Sequence, residues 1–225
     1  MKFVVTTLLA AALLGIPAFA QKSAEARLNA ATEDLKDMMQ ASDKGIPQDL
    51  FDKAACVIVV PNLKAGGFIV GGQYGKGFFS CRKESGRGWS APGSLKLTGG
   101  KFGLLIGGKE TDVIMLVMNS EGMSKLLKSK FQIGGEASGA AGPVGRDSTA
   151  MTDAMMHAQI LSYSRSRGVF GGLDLGGSAV MEDEDGNREL YGKTMTNKEI
   201  LDSKLDVPMA ARPFIHTLTS ISSRK

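Results

Sequence analysis

Basic side chains set beside glycines are the residues of this sequence best suited to chemistry. Lys64 precedes Gly66-Gly67, Lys76 lies between Gly75 and Gly77, and Arg82-Lys83, Arg87 and Lys101 follow. Arg146 comes after Gly145, and Arg165 and Arg167 come before Gly168. Glycine lets backbone N–H groups approach an anion closely, and Lys or Arg supplies the charge. This pairing suits a phosphate-bearing headgroup. The same residues also read as solvated charges flanking turns, and composition alone favours that plainer reading.

Other patterns imitate sites without completing them. Gly103 to Lys109 has most of a phosphate-binding loop, but Glu110 stands where a Ser or Thr would bind magnesium. A β-hairpin turn explains those glycines. Asp183, Asp185 and Asn187 begin like a calcium loop, yet Arg188 takes the place of the required glycine and no bidentate Glu follows at the right spacing. Those residues read as a polar hairpin tip. Met151, Met155, Met156 and His157 read as core filler rather than a soft copper site. With two histidines, no G-x-S-x-G elbow and no activated Cys–His motif, nucleophilic hydrolysis has little basis. No catalytic residue, metal ligand or cofactor is assigned, and the expectation is a non-enzyme.

The elements that must position the basic residues come next. Lys2, the apolar run Phe3 to Ile16 and Ala18-Phe19-Ala20 have the layout of a secretory signal peptide cleaved after Ala20. The run is shorter than the roughly 20 residues that span a bilayer. Residues 1–20 are therefore expected to be removed and the product to be periplasmic or secreted. The formal charge of +4, lowered to +3 by loss of Lys2, is too weak to suggest nucleic-acid binding. It allows a local basic patch to approach anionic lipid. Cys56 and Cys81 form one disulfide in an oxidising compartment, or else are two small buried apolar side chains.

Helical spacing of Leu28, Ala31, Leu35 and Met38 predicts a helix from Ser23 to about Ser42, ended by Gly45. Pro47 opens a short second helix. Strands are expected at Cys56–Val60, stopped by Pro61, and at 68–70, 77–82, 94–98, 102–106 and 111–119, with a hairpin around Gly99-Gly100. Ser120 caps a mid-chain helix to about Lys128. Further strands follow over 158–165 and 169–180, then a hairpin turn at Asp185-Gly186. Thr196 with Glu199 makes a capping box, and Pro208 to about Ile221 makes a C-terminal helix. The chain has 29 glycines, many as pairs between short β-type runs, which argue for tight turns and bulges in a strongly curved antiparallel sheet. The fold class is α+β: a curved antiparallel sheet or partial barrel with N-terminal, mid-chain and C-terminal helices. The organisation is 21–43 helix, 44–206 domain and 207–225 helix and tail.

An ordered set of short motifs resembles the SYLF domain. The pieces are Gly45-Ile46-Pro47, Pro61-x-x-Lys64-x-Gly66-Gly67, Gly71-Gly72-x-Tyr74-Gly75-x-Gly77 and Trp89-Ser90-x-Pro92. They continue with Gly107-x-x-x-Thr111-Asp112, Lys130-Phe131-x-Ile133-Gly134, Ala141-Gly142-Pro143-x-Gly145-Arg146 and Ser162-Tyr163-Ser164-Arg165-Ser166-x-Gly168. The resemblance implies a compact α+β domain that binds phosphoinositide or another anionic lipid, helped in eukaryotic members by an amphipathic N-terminal helix. The expected partner is an anionic lipid or membrane surface, with an envelope protein as the alternative. The residues expected at the headgroup are Lys64, Lys76, Arg82, Arg146, Arg165 and Arg167.

Overall fold

The computed structural model describes residues 23–41, 45–67, 70–85, 88–102, 107–145, 152–166, 168–203 and 205–223. Residues 1–20, expected to be a signal peptide, therefore lie outside the described residues.

The helix α1 (Ala24–Gln40) starts where Ser23 Oγ accepts the Ala26 N–H, and α2 (Gln48–Lys53) follows Pro47. Four long strands come next: β1 (Cys56–Gly67), β2 (Val70–Cys81), β3 (Gly93–Phe102) and β4 (Gly107–Val117). The mid-chain helix α3 (Ser120–Leu126) is capped by Asn119, one residue earlier than expected, because Asn119 Oδ1 accepts the Gly122 N–H at 2.8 Å. Then follow β5 (Lys130–Gln132), β6 (Gly139–Ala141), α4 (Asp153–Met156), β7 (Ile160–Ser166), β8 (Val169–Gly172) and β9 (Ala179–Glu182). The chain closes with α5 (Glu184–Tyr191), α6 (Asn197–Asp202), a 3-10 turn (Met209–Ala211) and α7 (Arg212–Ile221). The capping box of Thr196 and Glu199 opens α6.

The strands form one nine-stranded sheet in the order β5-β9-β3-β2-β1-β4-β7-β6, with β8 on β7. Its pairs are antiparallel except β6 with β7, and it curls into a half-barrel. One face carries Val57, Val59, Phe78, Ile114, Leu116, Leu161 and Tyr163 and packs under α1, α2 and α7. The other carries Ile58, Val60, Phe79, Leu97, Val113, Met115 and Val117 and closes over Leu126, Phe131 and Val180. Alternation along each strand sends neighbouring residues to opposite cores. The apolar side of α1 (Leu28, Ala31, Leu35 and Met38) is wholly buried, so that helix is a core element of the fold.

Three local expectations change. Pro61 does not end β1. A bulge between Val60 and Leu63 takes Pro61 and Asn62 out of register, Asn62 adopts a left-handed φ of 52°, and pairing resumes at Leu63 with β4 and at Lys64 with β2. A bulge is where a strand accommodates proline. Asp185-Gly186 is no hairpin turn but the first part of α5. A Cβ at Gly186 would stand 2.2 Å from Ser94 Oγ, so this glycine serves the close docking of α5 on β3. Gly99-Gly100 likewise lies inside β3, not at a turn, because Gln73 and Gly72 pair across from it.

Candidate functional site

The register of four strands builds one surface from residues far apart in sequence. Glu110 on β4 faces Lys64 on β1, Lys64 faces Tyr74 on β2, and Tyr74 faces Thr98 on β3. Directly opposite residues share a face, so these four make a row across the sheet. The next row outward is Gly108, Gly66, Gly72 and Gly100, also in register. Both rows continue the face that α1 and α7 cover further in. Here the face is open. The side chains of Lys64 and Glu110 are 69% and 62% exposed, and Tyr74 is 48% exposed. Lys109, next along β4 and therefore on the other face, is exposed too. Lys64 Nζ lies 3.9 Å from Glu110 Oε1, a long solvated pair that costs little to separate.

Three other expected basic residues have their charges engaged inside the fold. Lys76 Nζ sits 3.0 Å from Asp183 Oδ2, and Lys96 Nζ 3.0 Å from Asp183 Oδ1. Asp183 is fully buried. Burial alone would raise its carboxyl pKa, but hydrogen bonds and charges from both lysines outweigh that and hold it below the ordinary carboxylate value. Arg82 lies 4.3 Å above the ring of Trp89, and its guanidinium donates to Ser222 Oγ at 2.9 Å and to the Ala54 carbonyl at 3.3 Å. Arg165 reaches Asp37 at 2.6 Å and Asp34 at 3.7 Å, so it ties β7 to α1. Asp34 is pushed up to about 7, first by burial and then by the neighbouring Asp112 carboxylate. Arg146 and Arg167 lie outside the described residues, as does Arg87.

Reading the sequence missed Asp183 as a buried charge centre. Its lysine partners are 107 and 87 residues away, with no local signal to join them. It also missed the exposed Tyr74, which only the register sets beside Lys64. Cys56 and Cys81 are directly opposite on β1 and β2 and are bonded.

At the opposite end of β2, a groove of about 720 Å³ runs between α3 and α6. Met123, Leu127, Ile200, Leu201 and Leu205 form its apolar wall, with Lys83 and Glu84 beside it. Among the described residues no group of three His, Cys, Asp or Glu is placed to hold a metal ion, and no helix is long and apolar enough to cross a membrane.

Against known families, residues 98–221 match the Ysc84 model, described as a Las17-binding protein actin regulator. Protein YSC84 of Saccharomyces cerevisiae is 32% identical over 182 residues, covering 80% of this chain and 38% of its own length. An SH3 domain-containing protein of Schizosaccharomyces pombe, PJ696.02, is 33% identical over 178 residues, covering 78% of this chain and 41% of its own. The SH3 domain-containing YSC84-like protein 1 of Xenopus laevis is 30% identical over 184 residues, covering 81% and 54%. The chain thus spans about two fifths to one half of these relatives.

Proposed function

The chain belongs to the Ysc84, or SYLF-domain, family, and from that premise we propose that it is a non-catalytic module that binds anionic membrane lipid. The observation that carries this reading is the open end of the sheet. Lys64 is exposed there beside a half-exposed tyrosine, and neither α1 nor α7 covers it. Lysines near an anionic bilayer gain from its surface potential, and tyrosine suits the headgroup level. Lys64 is the residue placed to meet a headgroup directly, and Arg146 and Arg167 are proposed to join it. Lys76, Arg82 and Arg165 serve the same end by holding the sheet and its covering helices in shape.

The proposed location is a periplasm or the cell exterior. The N-terminal segment with the layout of a signal peptide supports this, and so does the Cys56–Cys81 bond, since such bonds persist in oxidising compartments. The test is co-sedimentation of the chain from Gln21 onward with liposomes of graded anionic-lipid content at low and moderate salt. Binding is expected to rise with anionic lipid and weaken with salt. Absence of binding at every composition would sink the lipid reading.

A second reading has its own support. Relatives are named for binding LAS seventeen, and the groove between α3 and α6 suits an apolar peptide face. In this reading the protein is an envelope adaptor. A partner retained from envelope extract in detergent, and lost on Leu201→Arg, would favour it over lipid binding.

A further inference from the structure

Among the described residues, many glycines are explained by what surrounds them. A Cβ at Gly77 would stand 2.1 Å from the Val59 carbonyl oxygen, at Gly93 2.3 Å from the Phe79 ring, and at Gly142 2.2 Å from the Tyr163 ring. Gly88, Gly134, Gly145, Gly168, Gly177 and Gly192 have positive φ. Gly72 and Gly100 have neither reason. They face each other across β2 and β3, both are exposed, and neither φ is left-handed. A Cβ at Gly100 meets nothing within 4 Å, and one at Gly72 meets only the Gly99 carbonyl oxygen at 3.9 Å. Gly171 is open too, but faces Ser164 rather than a second glycine.

Glycine inside a strand weakens it by losing chain entropy and side-chain packing. A pair of them in register, with open space above, serves something that must come close to the sheet. One side of this bare floor is walled by Lys64, Tyr74 and Thr98, and Lys64 must leave its loose 3.9 Å pair with Glu110, at the end of the same row, to meet an anion. Lys64 is diagonal to Gly72, and diagonal neighbours on one face lie roughly 7–8 Å apart, within reach of a lysine. At Gly72 strand β2 is paired on both sides, so polar contacts there come from the Lys64 ammonium and the hydroxyls of Tyr74 and Thr98. One ammonium and two hydroxyl donors beside a floor without side chains match a phosphate carrying a single ester-linked substituent on each side.

We propose that Gly72 and Gly100 form the floor of a headgroup subsite, in which a lipid-borne phosphodiester lies against the sheet with its charge on Lys64. The subsite rests on the lipid-binding reading and assigns its contact surface. It also commits to lipid as the source of the phosphate, because the site is shallow and lies at an open sheet end, where a bilayer plane can reach it.

The experiment uses the chain from Gln21 onward and vesicles of phosphatidylcholine and phosphatidylglycerol in equal parts. Gly72→Val and Gly100→Val place a β-branched side chain in open space on a strand, where it favours extended backbone. Their melting temperatures are expected to equal or exceed that of the parent, while vesicle affinity falls by roughly tenfold or more. Parent-like vesicle binding by both variants overturns the subsite and leaves the lipid reading standing. Failure of the parent to bind either vesicles or the soluble headgroup overturns both. Binding of soluble glycerophosphoglycerol, the deacylated diester, without vesicle binding overturns the commitment to a membrane. Tyr74→Trp gives a second readout that needs no loss of function. The native Trp89 is 2% exposed, so the new indole is the one that brominated phosphatidylglycerol should quench. Co-sedimentation without that quenching overturns the subsite even if the glycine variants fold poorly.

Discussion

Replacing Asp34 by asparagine should make the protein more stable above neutrality and flatten its response to pH. Asp34 projects from α1 into the contact with the sheet and is 8% exposed. It faces Asp112 from β4, Arg165 from β7, and Asp37 from its own helix. Three carboxylates surround one guanidinium, and Arg165 makes its shorter contact with Asp37. Burial and Asp112 raise Asp34 from 3.8 to about 7, so the folded state holds a proton that the unfolded chain releases. For an acid raised on folding, the contribution to stability is complete below the unfolded value and is lost as pH climbs through the folded one. The window therefore runs from about pH 4 to about pH 7. Three units at about 1.36 kcal/mol each set a ceiling of about 4 kcal/mol. Partial access of water reduces this to about 2 kcal/mol. The asparagine amide keeps the shape and donates a hydrogen bond to Asp112 without needing a proton. Urea unfolding of parent and variant at about pH 4 and about pH 8, with m unchanged, measures the difference. The variant should gain about 2 kcal/mol on the parent between these two conditions. Equal pH slopes for the two proteins would refute the reasoning, as would a variant that loses ground at the higher pH.

Asp183→Asn leaves Lys76 and Lys96 facing one another without their shared carboxylate, and should destabilise by about 3 kcal/mol, at the low end for breaking a buried pair. Chemical denaturation checks it, and a loss under about 1 kcal/mol would mean that water reaches the pair. Reducing the Cys56–Cys81 bond, which joins residues 25 apart, should cost about 3 kcal/mol through the freed unfolded chain. Melting with and without dithiothreitol measures that cost. Gly142→Ala drives a methyl into the Tyr163 ring and should cost about 1–3 kcal/mol, in contrast to the tolerated Gly100→Val.

Much of the architecture was legible because it rests on local rules. The spacing of Leu28, Ala31, Leu35 and Met38 marks α1, and all four side chains are buried. Thr196 and Glu199 mark the start of α6 by a bond pattern that needs only three residues. The motifs of the family are likewise short and ordered, and they carry the α+β fold with them. What local rules misplace are features that depend on the partner strand. Pro61 reads as a stop until a bulge absorbs it, and Gly99-Gly100 reads as a turn until Gln73 and Gly72 pair with it.

The candidate site divides along the same line. Sequence alone determined that basic residues and glycines recur together, that no metal or nucleophile motif is complete, and which family pattern the chain follows. Tertiary structure decided which of those bases face solvent. Lys64 is exposed, whereas Lys76, Arg82 and Arg165 are tied to Asp183, Trp89 and the α1 aspartates. It also decided that Gly72 and Gly100 meet across two strands under open space. The physical reason is that charge pairing and strand register join residues tens of positions apart, while propensity, capping and periodicity act within a few turns of the chain.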